Sequence, residues 1–159
     1  HGQLVSTIGE AQAMVDRLDG QAAAADIARA VDHLAAQSSS SSLGVVGFSL
    51  GAFFALRLSA GDPDRIKAVT LFYGTGDGEF DKSKAAYLGH YAENDPYEPA
   101  EGVNWLEGAL KTAGRPVAFH RYAGVGHWFS EADRPDAYNA DAAELAWSRT
   151  LEFFAQHLK

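Results

Sequence analysis

Gly47-Phe48-Ser49-Leu50-Gly51 follows the apolar run Leu43 to Val46 and precedes a helix-compatible run, Ala52 to Leu58. A G-x-S-x-G pattern between a strand and a helix is the setting of a nucleophile elbow, in which a sharp turn lifts the serine hydroxyl above a sheet. So tight a turn is expected to exclude side chains at both flanking positions, since a Cβ there meets the neighbouring strand and helix. The same turn brings the first N–H groups of the following helix toward the hydroxyl, and the Leu50 N–H is the expected donor to an oxyanion. Without that flanking context, two glycines around a buried serine would carry no chemistry.

Outward from the elbow, strands and helices alternate. Ile66 to Tyr73 is apolar and β-branched and ends at Gly74, and Ala85 to Tyr91 is the next strand, followed by the loop Ala92 to Pro99. Ala100 to Thr112 reads as a helix punctuated by Gly114 and Pro116, Val117 to Tyr122 as a strand, and Asp141 to Leu158 as a long final helix. Upstream, Thr7-Ile8-Gly9-Glu10 has capping-box spacing, continued by a short helix over Ala11 to Leu18 that ends near Gly20. Gln21 to Gln37 predicts a second, amphipathic helix with Ile27, Val31 and Leu34 on one face. Ser38 to Ser42 reads as a flexible helix-to-strand connection. Strands separated by helices imply right-handed crossovers and a parallel sheet, so the expected fold class is α/β, three layers (α/β/α) around a mostly parallel sheet. Residues 1–159 are expected to form one domain.

Composition narrows the partners. Of 159 residues, 47% are hydrophobic and 21% charged, an ordinary globular balance, and the net charge of −8 leaves no basic stripe for a phosphate backbone. Neither a bilayer-length apolar run nor a signal-peptide pattern is present, so no membrane partner is expected and the cytoplasm is the expected compartment. The chain opens on His1 rather than Met, which points to a processed end or a boundary upstream of which any address would be invisible. The absence of cysteine removes disulfides, thiolate metal sites and a cysteine nucleophile together.

In parallel α/β sheets the reacting groups sit in loops at the carboxyl ends of the strands. Two such loops offer partners for Ser49: Glu93 and Asp95 after one strand, and Gly124-Val125-Gly126-His127 after the next. His127, in a glycine-flanked loop, would take the Ser49 proton and return it to the leaving group. Asp95 would fix the imidazole tautomer and stabilise the imidazolium; Glu93 competes with it, and Asn94-Asp95-Pro96 is equally a turn signal. Phe48, Trp128 and Phe129 could meet an apolar or aromatic acyl or alcohol group, or simply pack the core. Histidines 33, 90, 120 and 157 lie inside helix or strand patterns and read as surface or core, and Asp77 as a turn residue. His90, Glu93 and Asp95 lack any recognised metal-ligand spacing.

The elbow, the Phe72-Tyr73-Gly74 strand end, Gly89 through Asp95, Tyr122 to Phe129 around His127, and the final Trp147, Arg149, Leu151, Phe153-Phe154 helix together resemble the dienelactone hydrolase family of α/β-hydrolases. The order Ser49, Asp95, His127 matches that fold. The resemblance runs from about Leu18 to the C-terminus and implies hydrolysis of an ester or lactone through an acyl-enzyme, with no metal or organic cofactor. Position 49 is serine where the founding members carry cysteine, so the chain resembles the serine-bearing branch. Glu131 stands where those enzymes place a carboxylate-binding arginine, with Arg134 three residues on. Only 48 residues precede Ser49 and none upstream of Leu43 reads as a strand, so the family's opening strands, and the second oxyanion donor they supply, are expected to be missing. His1-Gly2 is a weak match to a remnant of that donor loop. An apolar Leu43–Phe48 strand left at the sheet edge should then be buried by a second copy of the chain, by a separate polypeptide carrying the missing half or by the chain's own N-terminal segment, and a homodimer is the expected outcome.

Overall fold

The structure is a computed structural model that describes residues 5, 7–38, 40 and 42–158. Two compact units divide at the serine run, His1–Ser38 and Ser39–Lys159. In the first, α1 (Ile8–Val15) begins at the expected capping box: Glu10 N–H donates to Thr7 Oγ1 at 3.2 Å and Thr7 N–H donates to Glu10 Oε2 at 3.1 Å. It stops earlier than Leu18 because Arg17 and Leu18 N–H turn to carbonyls three residues back. Gly20 opens the next helix rather than closing the first, since the Asp19 carboxylate caps Gln21 and Ala22 N–H of α2 (Gly20–Gln37). Val31 is buried on α2, whereas Leu34, expected on the same face, is exposed.

The second unit is a four-stranded, fully parallel sheet in the order β1 (Leu43–Phe48), β2 (Ile66–Phe72), β3 (Ala86–Ala92), β4 (Val117–Tyr122). Each crossover between adjacent parallel strands needs a connection over one face: α3 (Leu50–Gly61) joins β1 to β2 and α4 (Ala100–Thr112) joins β3 to β4. The last helix, α5 (Ala140–His157), packs on β2 and β3. Alternation along β1 puts α3 and α5 on opposite faces. A Cβ on Gly47 would lie 2.6 Å from the Gly51 carbonyl in α3, and one on Gly44, of the other parity, 2.9 Å from Leu158 and Phe154 at the end of α5. All seven positions of β3 are buried, as a strand covered on both faces requires. The α/β layering expected from the sequence is therefore present.

Boundaries moved where local hydrogen bonding differs from periodicity. Ala85 N–H donates to Ser83 Oγ at 3.1 Å and stays outside β3, which instead runs on to Ala92 paired with Tyr122. Tyr73 leaves β2 because its φ is +36°. In-register pairing of Phe48 with Phe72, and of Ala92 with Tyr122, brings the loops after β1, β2, β3 and β4 to the carboxyl end of the sheet. Backbone bonds carry the ladder past the strand ends: Ser49 N–H to the Phe72 carbonyl and Tyr73 N–H to the His90 carbonyl.

Candidate active site

Ser49 sits between β1 and α3 with φ +47° and ψ −117°, a strained backbone for a residue with a side chain. Two glycines allow it. Gly47 lies against Ala52 Cα, which a Cβ would approach to 2.7 Å, and Gly74 lies against the Ser49 carbonyl, which a Cβ would approach to 2.3 Å. Gly51, the other flanking glycine, faces open space: a Cβ there would have nothing within 4 Å, so the steric reason expected for it does not hold. The crowding falls on Gly74, a residue outside the pentapeptide. Leu50 is the first residue of α3, and its N–H is among those a helix start leaves without an intrahelical acceptor.

The three sequence-selected residues meet in one hydrogen-bonded chain. Asp95 Oδ2 accepts from His127 Nδ1 at 2.7 Å, and His127 Nε2 lies 3.2 Å from Ser49 Oγ. A carboxylate only accepts, so Nδ1 carries the proton and the Nε2 lone pair faces the Ser49 hydroxyl. The Asp95 side chain is 2% exposed and that of His127 5%, which excludes competing water. Asp95 Oδ1 accepts Tyr97 N–H at 2.8 Å and Glu98 N–H at 3.1 Å. The Asn94-Asp95-Pro96 turn and the carboxylate facing the imidazole are thus one structure: one oxygen folds the loop and the other holds His127. Glu93 lies at the end of β3 and is exposed.

Three aromatic rings surround the imidazole. Tyr73 lies beneath it at 4.8 Å between centroids, Tyr97 at 5.2 Å, and Trp128 edge-on at 4.7 Å. Tyr73 is fully buried; its hydroxyl donates to Glu131 Oε1 at 2.9 Å and meets Ser130 Oγ at 3.0 Å. Burial, with the Glu131 charge adding to it, raises the phenol pKa and keeps that donor protonated. Trp128 has φ +65°, and the Arg134 guanidinium lies 4.1 Å from its ring centre. The Asp95 loop is also tied down at Glu98, which accepts Thr75 N–H at 2.9 Å and Thr75 Oγ1 at 2.8 Å. Tyr97 and Glu98 carried no sequence signal, and Tyr73 and Glu131 stood out only through the family resemblance and not as partners: each acts through a partner 23 or more residues away or a loop neighbour of Asp95.

Of the aromatics singled out in the sequence, Phe48 is 42% exposed and stacks on Phe72, and Trp128 is half-buried. Phe129 has no exposed surface and packs with Phe72, Tyr73 and Tyr122, so it builds the core and does not contact a substrate. His90 is buried, with ring nitrogens on Tyr122 and Thr150, and no group of three metal-ligating side chains occurs among the described residues. Asp77 pairs with Arg57 at 2.8 Å on the surface. No helix of the described residues is long and apolar enough to cross a membrane.

Comparison with known proteins agrees with this architecture. The carboxymethylenebutenolidase of Rhodococcus opacus is 30% identical over 154 residues, covering 89% of this chain and 60% of that protein. The chain spans about half the length of the curated relatives it matches, from 38% to 60%. A solved structure named m3DLH superposes with a TM-score of 0.83 at 21% identity, over 99% of this chain and 71% of its own. The acylaminoacyl peptidase of Pyrococcus horikoshii gives 0.70 at 17% identity, over 86% and 28%. These two likenesses concern the fold alone. The dienelactone hydrolase family pattern matches residues 6–158, and the chain belongs to that family.

Proposed function

We propose that this chain hydrolyses a carboxylic ester or lactone through an acyl-enzyme on Ser49. The observation that carries the reading is the Asp95–His127–Ser49 hydrogen-bond chain at the carboxyl ends of the strands. His127 Nε2 takes the hydroxyl proton as Ser49 Oγ bonds to the carbonyl carbon, and the Leu50 N–H receives the oxyanion. The same proton passes to the alcohol oxygen as its bond to carbon breaks. Water then gives a proton to His127 and its oxygen to the acyl carbon; the acid leaves and Ser49 regains its proton. Family membership supports hydrolysis as the class of reaction. Glu131, bonded to Tyr73, and Arg134, lying on Trp128, favour a substrate without the carboxylate of a dienelactone.

The test is labelling by a fluorophosphonate probe. Ser49 should be modified, the signal should vanish in Ser49→Ala, and p-nitrophenyl acetate hydrolysis should be lost in Ser49→Ala and His127→Ala. Equal rates in wild type and Ser49→Ala would refute the reading. A labelled Ser49 with no turnover would mark the alternative reading, a degenerate hydrolase or an interaction module that kept the fold.

A further inference from the structure

We propose that the cleft bordered by the Tyr97 and Trp128 rings, which pack against each other, binds the alcohol half of the ester and selects an aromatic group there, an assignment that rests on the hydrolase reading above. The cavity, about 420 Å³, is bounded by Pro96, Tyr97, Gly126, His127, Trp128 and Tyr138. That volume lies within the range of small-molecule sites, ~300–1,000 Å³.

Proton transfer decides which half of the substrate goes there. The proton taken from Ser49 must reach the oxygen of the departing alcohol from His127 Nε2, so that oxygen comes within hydrogen-bond reach of the imidazole. Its carbon substituent then extends along the imidazole, into the cleft that has His127 as a wall. The neighbouring hollow, about 410 Å³ between Phe48, Ser130, Tyr138 and Trp147, has no His127 surface and so is not placed to take the alcohol oxygen's substituent.

The chemistry of the walls decides the class. Tyr97 and Trp128 stand 4.9 Å apart at 51°, and both rings also touch His127. Tyr97 is 51% exposed, so its ring is not needed to fill the core. The backbone that carries both rings is fixed before any ligand arrives. Tyr97 is anchored through its N–H to Asp95, and Trp128 is held in a left-handed backbone conformation with Arg134 against its ring. A bulky residue stays in that conformation only where its surroundings enforce it. Pre-set aromatic walls accept another ring without the entropy cost of ordering them.

Benzyl acetate and cyclohexylmethyl acetate share the acyl group and have leaving alcohols of similar acidity, but only one carries a ring with π faces. Wild type should favour benzyl acetate by about tenfold in kcat/KM, mostly through KM, the worth of one or two aromatic contacts. Tyr97→Leu and Trp128→Leu should collapse that ratio toward one, whatever the absolute rates. Were the rings only shielding His127 from water, each variant would slow both esters alike and keep the ratio. A ratio near one in wild type, or one unchanged in both variants, overturns the proposal. Binding supplies a readout free of turnover: Ser49→Ala should bind benzyl alcohol saturably, followed by quenching of tryptophan fluorescence, and more tightly than cyclohexylmethanol. Adding Tyr97→Leu should abolish the difference. Failure of every ester to react, with benzyl alcohol still selected, would sink the hydrolase reading and keep the aromatic cleft; equal binding of both alcohols would remove the cleft as well.

Discussion

Asp95 shows at the residue scale how a turn signal and a reacting group can be one side chain. Its two oxygens divide the work, Oδ1 toward the Tyr97 and Glu98 amides and Oδ2 toward His127. Asp95→Asn separates them. The amide oxygen can still accept the loop N–H groups, but the amide nitrogen now faces Nδ1 and forces the proton onto Nε2, where it blocks transfer from Ser49. Activity should fall on the order of 10⁴-fold while the fold persists, checked by kcat/KM beside the thermal midpoint; Asp95→Ala should lower both. Ser49, His127 and Asp95 were legible in sequence because each sits a few residues past a strand, in a turn whose glycines or proline announce it. Tyr73 and Tyr97 were not, because their contact with His127 arises only when three loops are brought to the carboxyl end of the sheet.

Among the elements, the sheet is locked to α5 by a buried polar relay. Arg149 donates to the Tyr122 hydroxyl at 3.1 Å, and that hydroxyl lies 2.9 Å from His90 Nδ1. His90 Nε2 lies 3.0 Å from Thr150 Oγ1, which itself donates to the Ala146 carbonyl at 2.9 Å. The Thr150 proton is thus spent, so Nε2 carries the His90 hydrogen and Nδ1 accepts from Tyr122. Every member is satisfied with the imidazole neutral. Burial, with the nearby His120 and the Arg149 charge adding to it, lowers the His90 pKa to about 3. The sign follows: below pH 6.5 the unfolded chain binds a proton that the native state refuses, so stability falls as pH drops from 6.5 toward 3, by about 1.4 kcal/mol per unit. Denaturant titrations between pH 6.5 and 5, above the ordinary carboxylate range, should show this slope, and His90→Asn should flatten it to the part that His120, whose pKa burial also lowers, contributes. A wild-type slope no steeper than the variant's would exclude the relay as its source. The strands and helices themselves were legible where punctuation is strong: α4 and β4 have the bounds read from the sequence, set by Pro99, Gly114 and Pro116. Helix starts drifted where a cap outranked periodicity, as at Asn139, which accepts Ala142 N–H and starts α5 at Ala140. The relay was invisible because its histidine looks like any other inside an apolar strand.

On the scale of the whole molecule, β1 pairs with β2 alone among the described residues and so lies at the edge of the sheet. An edge strand offers unpaired N–H and C=O groups, and natural edges are blunted by lysine, proline or inward charge. Leu43, Val45 and Val46 bring none of these, and apolar surface continues beside them at Phe48 and Leu50, 42% and 41% exposed, and at Trp147 of α5, 48% exposed. For residues 1–159 taken by themselves, we infer that a second copy covers this edge, burying upwards of about 1,200 Å² in total, the lower range of a specific interface. The formal charge of −8 on each copy opposes association, and salt screens that repulsion over a Debye length of about 8 Å at physiological ionic strength. Dimerisation should therefore tighten as salt is raised, the reverse of an ion-pair interface. Light scattering at high micromolar concentration should give a dimer, with the Leu43–Phe48 amides protected from hydrogen exchange in step with the dimer fraction. Phe48→Lys together with Val45→Lys should return the monomer, since each places on the pairing strand a charge of the kind that blunts natural edges. Dimers with unprotected β1 amides would move the interface elsewhere, and a salt-independent monomer with freely exchanging β1 amides would end the proposal.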